Sequence, residues 1–388
     1  MTDLAGQLDI RLQRSGDGLR VAIGSTRPVT AARIFAGRPV VDVARLLPGL
    51  FSICATAQAS ACAAACERSL GVAPSAGARA RRALLLRAET VKEHLWRLLL
   101  DWPKALDLAP GTTAMAEVMR AQLALRAALG AAGDPFLPGA ALPAPSATET
   151  GEAAALHAAA RQRVFAMAPA DWLAETGTPA GLAAWAETAG TQAAALVRTL
   201  LDEDIAALGR NAVRPLPDAA LPELAAALAG PDADAFVAEP AWKRLPRETT
   251  PFARKREAPL IAALAAEHGN GLLPRLTALL VELAEQLVAL ASTATAGPEP
   301  AAVVEPDAPP GTGTGSAPAA RGLLVHRVVL DGERVASYRI LAPTEWNFHP
   351  AGVVAAGLAG LGSAATERAA RLYITAVDPC VGYRLSVS

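Results

Sequence analysis

Cysteines are the residues of this sequence best suited to bind a metal, because thiolates are ligands of soft metal ions. Cys62 and Cys66 are four residues apart in ACAAAC, so a helix would place both on one face, where they could clamp such an ion. The alternative is a packing face of small residues, which the surrounding alanines favour, since a free Cys is usually a buried small hydrophobe. For Cys54, too, local grounds favour burial in the core.

A fourth cysteine, Cys380, lies in the segment DPCVGYRLSVS. A Cys beside a Pro in a turn suggests a metal thiolate, and ordinary burial is the alternative. The position where a second cysteine is usual, three residues further on, is Tyr383. The segment therefore allows three interpretations: a metal site, half of one, or an ordinary tail.

No other catalytic motif is present in the sequence. The five histidines form no HExxH or equivalent pair, and GxSxG, Walker A and GxGxxG motifs are absent. GTGTG at 311–315 lies in a predicted linker and follows no predicted strand. His94, on a predicted amphipathic helix, and His326, in a predicted strand, are interpreted as structural. The sequence gives no basis for a conventional hydrolase, kinase or dehydrogenase.

Composition limits the class of protein. The chain has 388 residues, 52% of them hydrophobic and 19% charged, which is enough apolar material for a substantial core. Its net charge of −1 gives no support to nucleic acid or an anionic membrane as the main partner. The N-terminus, MTDLAGQLDIRLQ, lacks the pattern of a signal peptide. Four cysteines are too few for a disulfide scaffold, so a reducing cytoplasm is the expected location.

Alternating apolar and polar residues predict two β-hairpins, one near each end of the chain. The first covers 8–24 with a DG turn, and the second runs from GLLVHRVVL through Asp331-Gly332 to ERVASYRIL. The middle is predicted to be helical over 53–70, 79–101, 113–129, 151–166, 179–209, 217–229, 257–268 and 272–292.

Two stretches, 130–150 and 293–318, are rich in Pro, Gly and small residues and are predicted to be flexible loops. We expect one domain over 1–388, α+β but mainly helical, with a central helical bundle and small β-hairpins from both chain ends. If the two hairpins pack together, the chain ends are neighbours, and Cys54 and Cys380 could meet.

Six short segments occur in an order that is typical of one protein family. LAGQLDIRL occupies the place of RIEGHL, and GRPVVDVARLLPGLFSICATAQASA is similar to the stretch from GRxPxDA through RICGVCPTAHxLA. The next segment, SLGV with the long predicted helix after it, matches the family's long helix after that stretch. ETTPFAR is similar to the family's ExGPLAR. ARGLLVHRVVLDGERVASYRILAPTEWNFHP is close to PRGxLxHxxxxxDGxIxxYxxxxPTxWNxxP, and DPCVGY to DPCxxC. The sequence thus resembles the large subunit of nickel–iron hydrogenases, and more narrowly the shortened HupK/HoxV class of hydrogenase-assembly proteins.

The enzymes of this family hold nickel and iron with two CxxC pairs, from which this sequence departs. Cys54 matches the second Cys of the first pair, and Cys380 matches the first Cys of the second pair. Two of four thiolates remain, which are too few for the enzymes' nickel site, so no nickel is expected. The other departures are Phe51 and Tyr383 at the missing cysteines, Ala5 for the Glu of RIEGH, Gln58 for the His of PTAH, Ala32 for a Glu thought to help hold magnesium, and Ser386 for the terminal His.

The residues that surround the two cyanides on the iron in the enzymes are kept. They match Arg321, Pro343 and Thr344, with Ala320 and Ala342 beside them. The resemblance implies that Arg321 and Thr344 donate hydrogen bonds to cyanide nitrogens, while the apolar neighbours suit the carbonyl ligand. The alternative for Arg321 is a salt bridge across the β segment.

The resemblance implies an assembly scaffold or chaperone without enzymatic activity. It would transiently hold an Fe(CN)2CO unit, with Cys54 and Cys380 as candidate iron ligands, and pass it to the hydrogenase large subunit. The expected partners are the Hyp maturation proteins, including a HypC-type chaperone, with the large-subunit precursor as a further candidate. Two alternatives stay open: a divergent catalytic large subunit, and a metal-free relative that only binds maturation partners.

Overall fold

The computed structural model describes residues 6–15, 18–291, 301–303, 308–362 and 366–388. Within them the chain forms a mainly helical body with two small sheets, one of which joins the two chain ends. The predicted α+β fold, mainly helical with small β elements near both ends, is therefore confirmed.

Helices occupy most of the chain between the sheets. The first nine are α1 (Val40–Leu50), α2 (Ala55–Leu70), α3 (Ala76–Trp96), α4 (Trp102–Ala105), α5 (Thr112–Gly130), α6 (Ala147–Gly151), α7 (Ala154–Ala160), α8 (Pro169–Glu175) and α9 (Pro179–Thr188). The later ones are α10 (Gln192–Asp202), α11 (Leu221–Ala229), α12 (Ala233–Ala238), α13 (Pro251–Lys255), α14 (Pro259–His268), α15 (Leu272–Ala291), α16 (Pro343–Asn347), α17 (Val353–Ala359) and α18 (Glu367–Val377).

Helix α15 lies at the centre of the helical body. It is buried along most of its length and packs against α3, α8, α10, α13 and α14. A helix that is apolar on nearly all sides is typical of a protein core. The buried Glu282 carboxylate on this helix is 2.7 Å from an Arg254 nitrogen and 2.8 Å from His94 Nε2, so it is paired rather than isolated.

The membrane test gives a limited result. Among the described residues, no single helix is both long and apolar enough to cross a membrane. One pair of consecutive helices, α1 and the helical segment Ser52–Leu70, is together long and apolar enough by length and composition alone, with a bend of 102° between the two.

Several predicted helices differ from the observed ones at their boundaries, and three differences have a clear local form. The predicted helix 179–209 is two helices, because Gly190 interrupts it and Thr191 caps α10 by accepting a hydrogen bond from the Ala194 amide. The predicted helix 151–166 consists of α7 and a π-helical turn. Helix α3 continues through a second π-helical turn into α4, past the predicted end at residue 101, and Pro103 lies in the first residues of α4.

The first sheet brings the chain ends together. Strand β1 (Leu8–Ser15) pairs antiparallel with β2 (Gly18–Ser25), which confirms the first hairpin, although the connecting residues 16–17 lie outside the described ones. The C-terminal strand β7 (Tyr383–Val387) pairs in parallel with the other edge of β1, with Leu8 opposite Tyr383. The chain ends are therefore neighbours as expected, but through β7 rather than through contact between two hairpins.

The second sheet has the order β3-β4-β5-β6, with β3 (Ala301–Val303), β4 (Thr312–Ala319), β5 (Gly322–Asp331) and β6 (Arg334–Leu341). Strands β5 and β6 confirm the second predicted hairpin. Residues 312–318, predicted as part of a flexible loop, are instead the buried strand β4, so that prediction was wrong there. Residues 301–303 of the same predicted loop form β3, residues 308–311 lead into β4, and residues 293–300 and 304–307 lie outside the described ones.

Glycines in β4 explain the error. A Cβ on Gly313 would lie 2.0 Å from the Ala65 carbonyl oxygen, and one on Gly315 would lie 2.5 Å from the Ala61 carbonyl oxygen. Both carbonyls belong to α2, so the GTGTG segment has small residues because a helix backbone lies directly on the strand. This close packing fixes the position of α2, which begins beside Cys54.

The other predicted loop, 130–150, has no helix or strand between the end of α5 and α6. Its backbone is hydrogen bonded to the body of the protein: Arg82 Nε donates to the Pro135 carbonyl, and Ser75 Oγ donates to the Leu142 carbonyl. Its flexibility, like the single-domain organisation over 1–388, stays a prediction.

Candidate functional site

A cavity of about 110 Å³ lies where the segment after β2, the start of α2, the start of α16 and the C-terminal turn meet. Cys54 and Cys380 both line it, although 326 positions separate them in the chain, so the expectation that they meet is confirmed. Of the other predicted site residues, Arg321, Ala342 and Pro343 also line the cavity.

Two predicted site residues do not line this cavity. Ala320 lies in the turn between β4 and β5 and faces a smaller neighbouring cavity beside His94. Ala319 and Arg321, the residues on either side of it, line the main cavity, and Arg321 also faces the smaller one. Thr344 is buried behind the wall, where its hydroxyl is hydrogen bonded to the Cys380 thiol, with Oγ1 and Sγ 2.6 Å apart.

Cys54 is placed by the N-terminus of α2, which it precedes. The Glu89 carboxylate, from α3, accepts the backbone N–H groups of Thr56 and Ala57 at 2.7 and 3.0 Å, which fixes this helix end. Gln58 Nε2 donates to Cys54 Sγ at 3.7 Å. Burial, then the nearby Cys380 and Glu89, raise the pKa of Cys54 to about 12, so the side chain is a thiol in the unloaded protein.

Cys380 is placed by the turn that ends α18. Asp378 caps this helix in a left-handed backbone conformation with φ of 66°, and the chain then reverses toward β7. Besides Thr344, the Cys380 sulfur accepts a hydrogen bond from Arg27 Nη1 at 3.4 Å. Arg27 was not predicted from the sequence as a site residue.

Arg321 combines the predicted site position with the salt bridge that was its alternative. Its Nη1 donates to Glu93 Oε2 at 2.9 Å, and its Nε lies 3.0 Å from Asp378 Oδ2. Burial opposes its charge, but Asp378 and Glu93 outweigh burial and raise the pKa of Arg321. The guanidinium is therefore a fixed cation in the cavity wall, held by two carboxylates.

The motif residues around Arg321 hold its backbone. Asn347 of the PTEWN segment donates from Nδ2 to the Arg321 carbonyl at 3.1 Å and accepts the Thr249 N–H at 3.0 Å. The neighbouring Trp346 is fully buried against other apolar residues. Three separate motifs thus meet at one buried junction beside the cavity.

A second ion pair also lines the cavity. Arg27 Nε donates to Glu345 Oε1 at 2.6 Å, and the two side chains are only 14% and 7% exposed. The other carboxylate oxygen of Glu345, and Oε1 of Gln58, are buried without a hydrogen-bond partner among the described residues. Burial opposes the charge of Arg27, but Glu345 and Cys380 outweigh burial and raise its pKa.

Three of the six positions at which the sequence departs from the family line the cavity. Phe51, Gln58 and Ala32 line it, and Tyr383 and Ser386 lie in β7. Ala5 lies outside the described residues. Phe51, which by resemblance stands at the first cysteine position of the family's first CxxC pair, thus places an aromatic ring in the cavity wall.

Cys62 and Cys66 lie apart from this cavity. Their sulfurs are 3.8 Å apart in the core between α2 and the second sheet, near His326, whose Nδ1 is 2.9 Å from the Tyr338 hydroxyl. Both cysteines are fully buried, in agreement with the packing interpretation. In the part of the chain that the structure describes, no group of three or more His, Cys, Asp or Glu side chains is arranged to hold a metal ion.

The residues that line the cavity have the chemistry that a small iron unit with diatomic ligands would require. The cavity volume is several times the roughly 10–15 Å³ that one water molecule requires in such a measure. Two thiols can bind the metal, guanidinium N–H groups can donate to cyanide, and Ala319, Ala342 and Val381 give apolar wall for a carbonyl ligand.

Comparison with solved structures identifies the fold as that of the nickel–iron hydrogenase large subunit. The Ni-Fe-Se hydrogenase of Desulfovibrio vulgaris Hildenborough is similar with a TM-score of 0.62 and 17% identity, over 94% of both chains. An NAD+-reducing NiFe hydrogenase is similar with a TM-score of 0.57 and 16% identity, over 94% of this chain and 92% of that one.

Curated sequences narrow the class further. The hydrogenase expression/formation protein HoxV of Cupriavidus necator is 34% identical over 98% of this chain and 95% of its own length. HupK of Azotobacter vinelandii is 33% identical over 99% of both chains. No family model matches the sequence. The chain belongs to the HupK/HoxV family of hydrogenase expression/formation proteins.

Proposed function

We propose that this protein is a scaffold of nickel–iron hydrogenase maturation that transiently holds an Fe(CN)2CO unit and passes it to the large subunit. The observation that carries the proposal is the meeting of Cys54 and Cys380 in one small cavity whose wall includes Arg321. The names of the related proteins, which are hydrogenase expression/formation proteins, support a role in maturation.

The number of ligands suits temporary binding. Two thiols from the chain would bind the iron, whereas four cysteines are expected in the finished enzyme site. A site with fewer metal–protein bonds holds its cargo less tightly, so transfer to the more complete site is favourable.

The cavity wall suits the diatomic ligands. Cyanide nitrogens accept hydrogen bonds, and Arg321 is a cation whose orientation is fixed by Glu93 and Asp378. Among the described residues, the structure gives its Nη2 no protein acceptor, so this N–H group is available to a bound ligand. The apolar residues of the wall reduce contact with water. This site would bind and protect the unit and would perform no chemical reaction on it.

The partners follow from the same role. We propose that Hyp maturation proteins, including a HypC-type chaperone, deliver the unit and that the large-subunit precursor receives it. These exchanges would take place in the cytoplasm. No nickel is required for this step.

A metal-free relative that only binds maturation partners is the second candidate. It is favoured by two observations: Cys380 already has a hydrogen-bond partner in Thr344, and Cys54 has a raised pKa. Both cysteines are partly buried and packed against the core, as cysteines without a ligand commonly are.

Infrared spectroscopy separates the two candidates. Protein purified anaerobically from cells with the maturation machinery should show two cyanide bands and one carbonyl band. The Cys54→Ala and Cys380→Ala variants should lose them, whereas Cys66→Ala, a matched cysteine buried away from the cavity, should keep them. Full bands in both site variants would contradict the ligand assignment. Absence of bands from the unaltered protein, with normal partner complexes, would favour the metal-free relative, and stoichiometric nickel would support a divergent hydrogenase.

A further inference from the structure

Arg27 occupies a position in the site that the family motifs do not account for. It lies between the Cys380 sulfur, 3.4 Å from its Nη1, and the Glu345 carboxylate, 2.6 Å from its Nε. Arg27 and Glu345 are 318 positions apart in the chain, and both line the cavity. The side chain is therefore held from two directions at the place where the iron unit would bind.

The backbone at Arg27 is also fixed. Gly6 has φ of 69°, and a Cβ there would lie 2.6 Å from Arg27 Cα, so the chain entering β1 passes directly against this residue. The Arg27 N–H donates to Ser25 Oγ at 3.2 Å, and the Thr26 N–H donates to the Gln7 carbonyl at 2.9 Å. An arginine held by both backbone and side chain loses little conformational freedom when a ligand binds.

Thr344 is poorly placed to be the second cyanide donor. A hydroxyl has one hydrogen to donate, and the Thr344 oxygen lies 2.6 Å from the Cys380 sulfur behind the cavity wall. When Cys380 is a thiolate bound to iron it can only accept, so the hydroxyl hydrogen is directed to the sulfur. One of the two cyanides would then lack the donor that the family resemblance assigns to it.

Arg27 can supply this donor. A guanidinium has five N–H groups, of which the structure uses one at Nε for Glu345 and one at Nη1 for Cys380. Within the described residues, Nη2 has no protein acceptor, and the side chain lines the cavity. Arg27 and Arg321 both line the cavity, so each can present N–H groups to a ligand bound there.

Charge supports two guanidiniums. In an Fe(CN)2CO unit with ferrous iron the two cyanides balance the metal, so two thiolate ligands leave two negative charges. Both Arg27 and Arg321 interact electrostatically with both cysteine sulfurs. Cations beside buried anionic groups offset part of the cost of removing these groups from water.

We propose that Arg27, tethered by Glu345, is a binding residue of this site: it holds the Cys380 thiolate and donates a hydrogen bond to one cyanide, while Arg321 donates to the other. This inference rests on the proposed function. Thr344 then acts on the Cys380 sulfur only.

Infrared spectra of anaerobically loaded protein test the assignment. Arg27→Met should lower the wavenumber of one cyanide band more than the other and so change the spacing between them. Arg27→Lys, which keeps the charge without the planar fork, should show a smaller change. Thr344→Val should shift all bands together through the sulfur and leave the spacing nearly unchanged. Arg33→Met, at an exposed arginine paired with Asp234, is the matched control and should change nothing.

The outcomes are distinguishable from those for the proposed function. Absence of all bands from the unaltered protein contradicts the proposed function and this inference with it. Normal bands whose spacing changes in Thr344→Val but not in Arg27→Met contradict only the role of Arg27. Because Arg27→Met leaves a buried carboxylate unpaired, the double variant with Glu345→Gln removes both charges and keeps the test valid if the single variant does not fold. It should show the same change in spacing, and an unchanged spacing would overturn the inference.

Discussion

Replacing Gly313 by Ala tests whether the close packing of β4 on α2 holds Cys54 in place. The new Cβ would lie 2.0 Å from the Ala65 carbonyl oxygen and 2.6 Å from the Ser69 nitrogen. Both atoms are helix backbone and cannot turn aside as a flexible side chain can. Ordinary contact needs roughly 3.5 Å, so α2 would have to move by about 1.5 Å away from the sheet.

The cost of this displacement can be bounded. Inserting one carbon into a well-packed core usually costs about 1–3 kcal/mol. Because the contact here is with backbone, we expect Gly313→Ala to lower the free energy of unfolding by about 3 kcal/mol. Urea denaturation measures this loss. Gly24→Ala is the matched control, because it lies in a strand where a Cβ would be 4.0 Å from its nearest neighbour, the Asp9 carbonyl oxygen.

Movement of α2 should also affect the site, since Cys54 precedes its first residue. We therefore expect Gly313→Ala protein to retain less iron unit than Gly24→Ala protein at a temperature where both are folded. If Gly313→Ala unfolds at the same urea concentration as Gly24→Ala and holds as much iron, the explanation given for the GTGTG segment is wrong.

Three further predictions concern buried charges. Glu89→Gln weakens the acceptor for the first N–H groups of α2 and should lower the free energy of unfolding by about 1–3 kcal/mol in urea denaturation; an unchanged midpoint would contradict its capping role. Burial opposes the ionised form of Glu282, but Arg254 and His94 outweigh burial and hold its pKa below the ordinary value. The stabilisation by ionised Glu282 is therefore present above about pH 4.3 and is lost as the pH falls. Glu282→Gln should flatten this dependence of the unfolding free energy on acid, and a pH profile equal to that of the unaltered protein would refute the role of Glu282. Arg275→Met leaves the fully buried Glu248 without its ion-pair partner and should lower the free energy of unfolding, measured in urea, by about 3–5 kcal/mol. Adding Glu248→Gln in the same chain should recover part of this stability. Equal stability of the single and double variants would contradict the pairing.

The sequence predicted the helical body and the two hairpins because both follow from local periodicity. It did not predict β7, a five-residue strand whose partner β1 lies at the other end of the chain. Local patterns carry no information about such distant pairing. The meeting of Cys54 and Cys380 was expected, but the strand that brings them together was not.

The GTGTG segment shows how composition can mislead. Gly and small residues predict a linker when the neighbours in space are unknown. In the fold, the same glycines are required by the backbone of α2, so their smallness serves packing rather than flexibility. Only a three-dimensional contact distinguishes the two.

Arg27 and Glu345 were missed for a related reason. Each is an ordinary surface-type residue in the sequence, and no motif spacing connects positions so far apart. Arg321 was found because a family motif contains it, whereas Thr344 was assigned a donor role that its contact with Cys380 argues against. Motifs identified which segments form the site, and geometry was needed to show which atoms face the cavity.

Iron K-edge X-ray absorption of the anaerobically purified protein tests the central claim most directly, because it counts the atoms bound to iron. The account predicts two sulfur neighbours per iron, from Cys54 and Cys380, together with short iron–carbon distances from the diatomic ligands. Iron surrounded only by oxygen and nitrogen, or by four sulfurs, would contradict it.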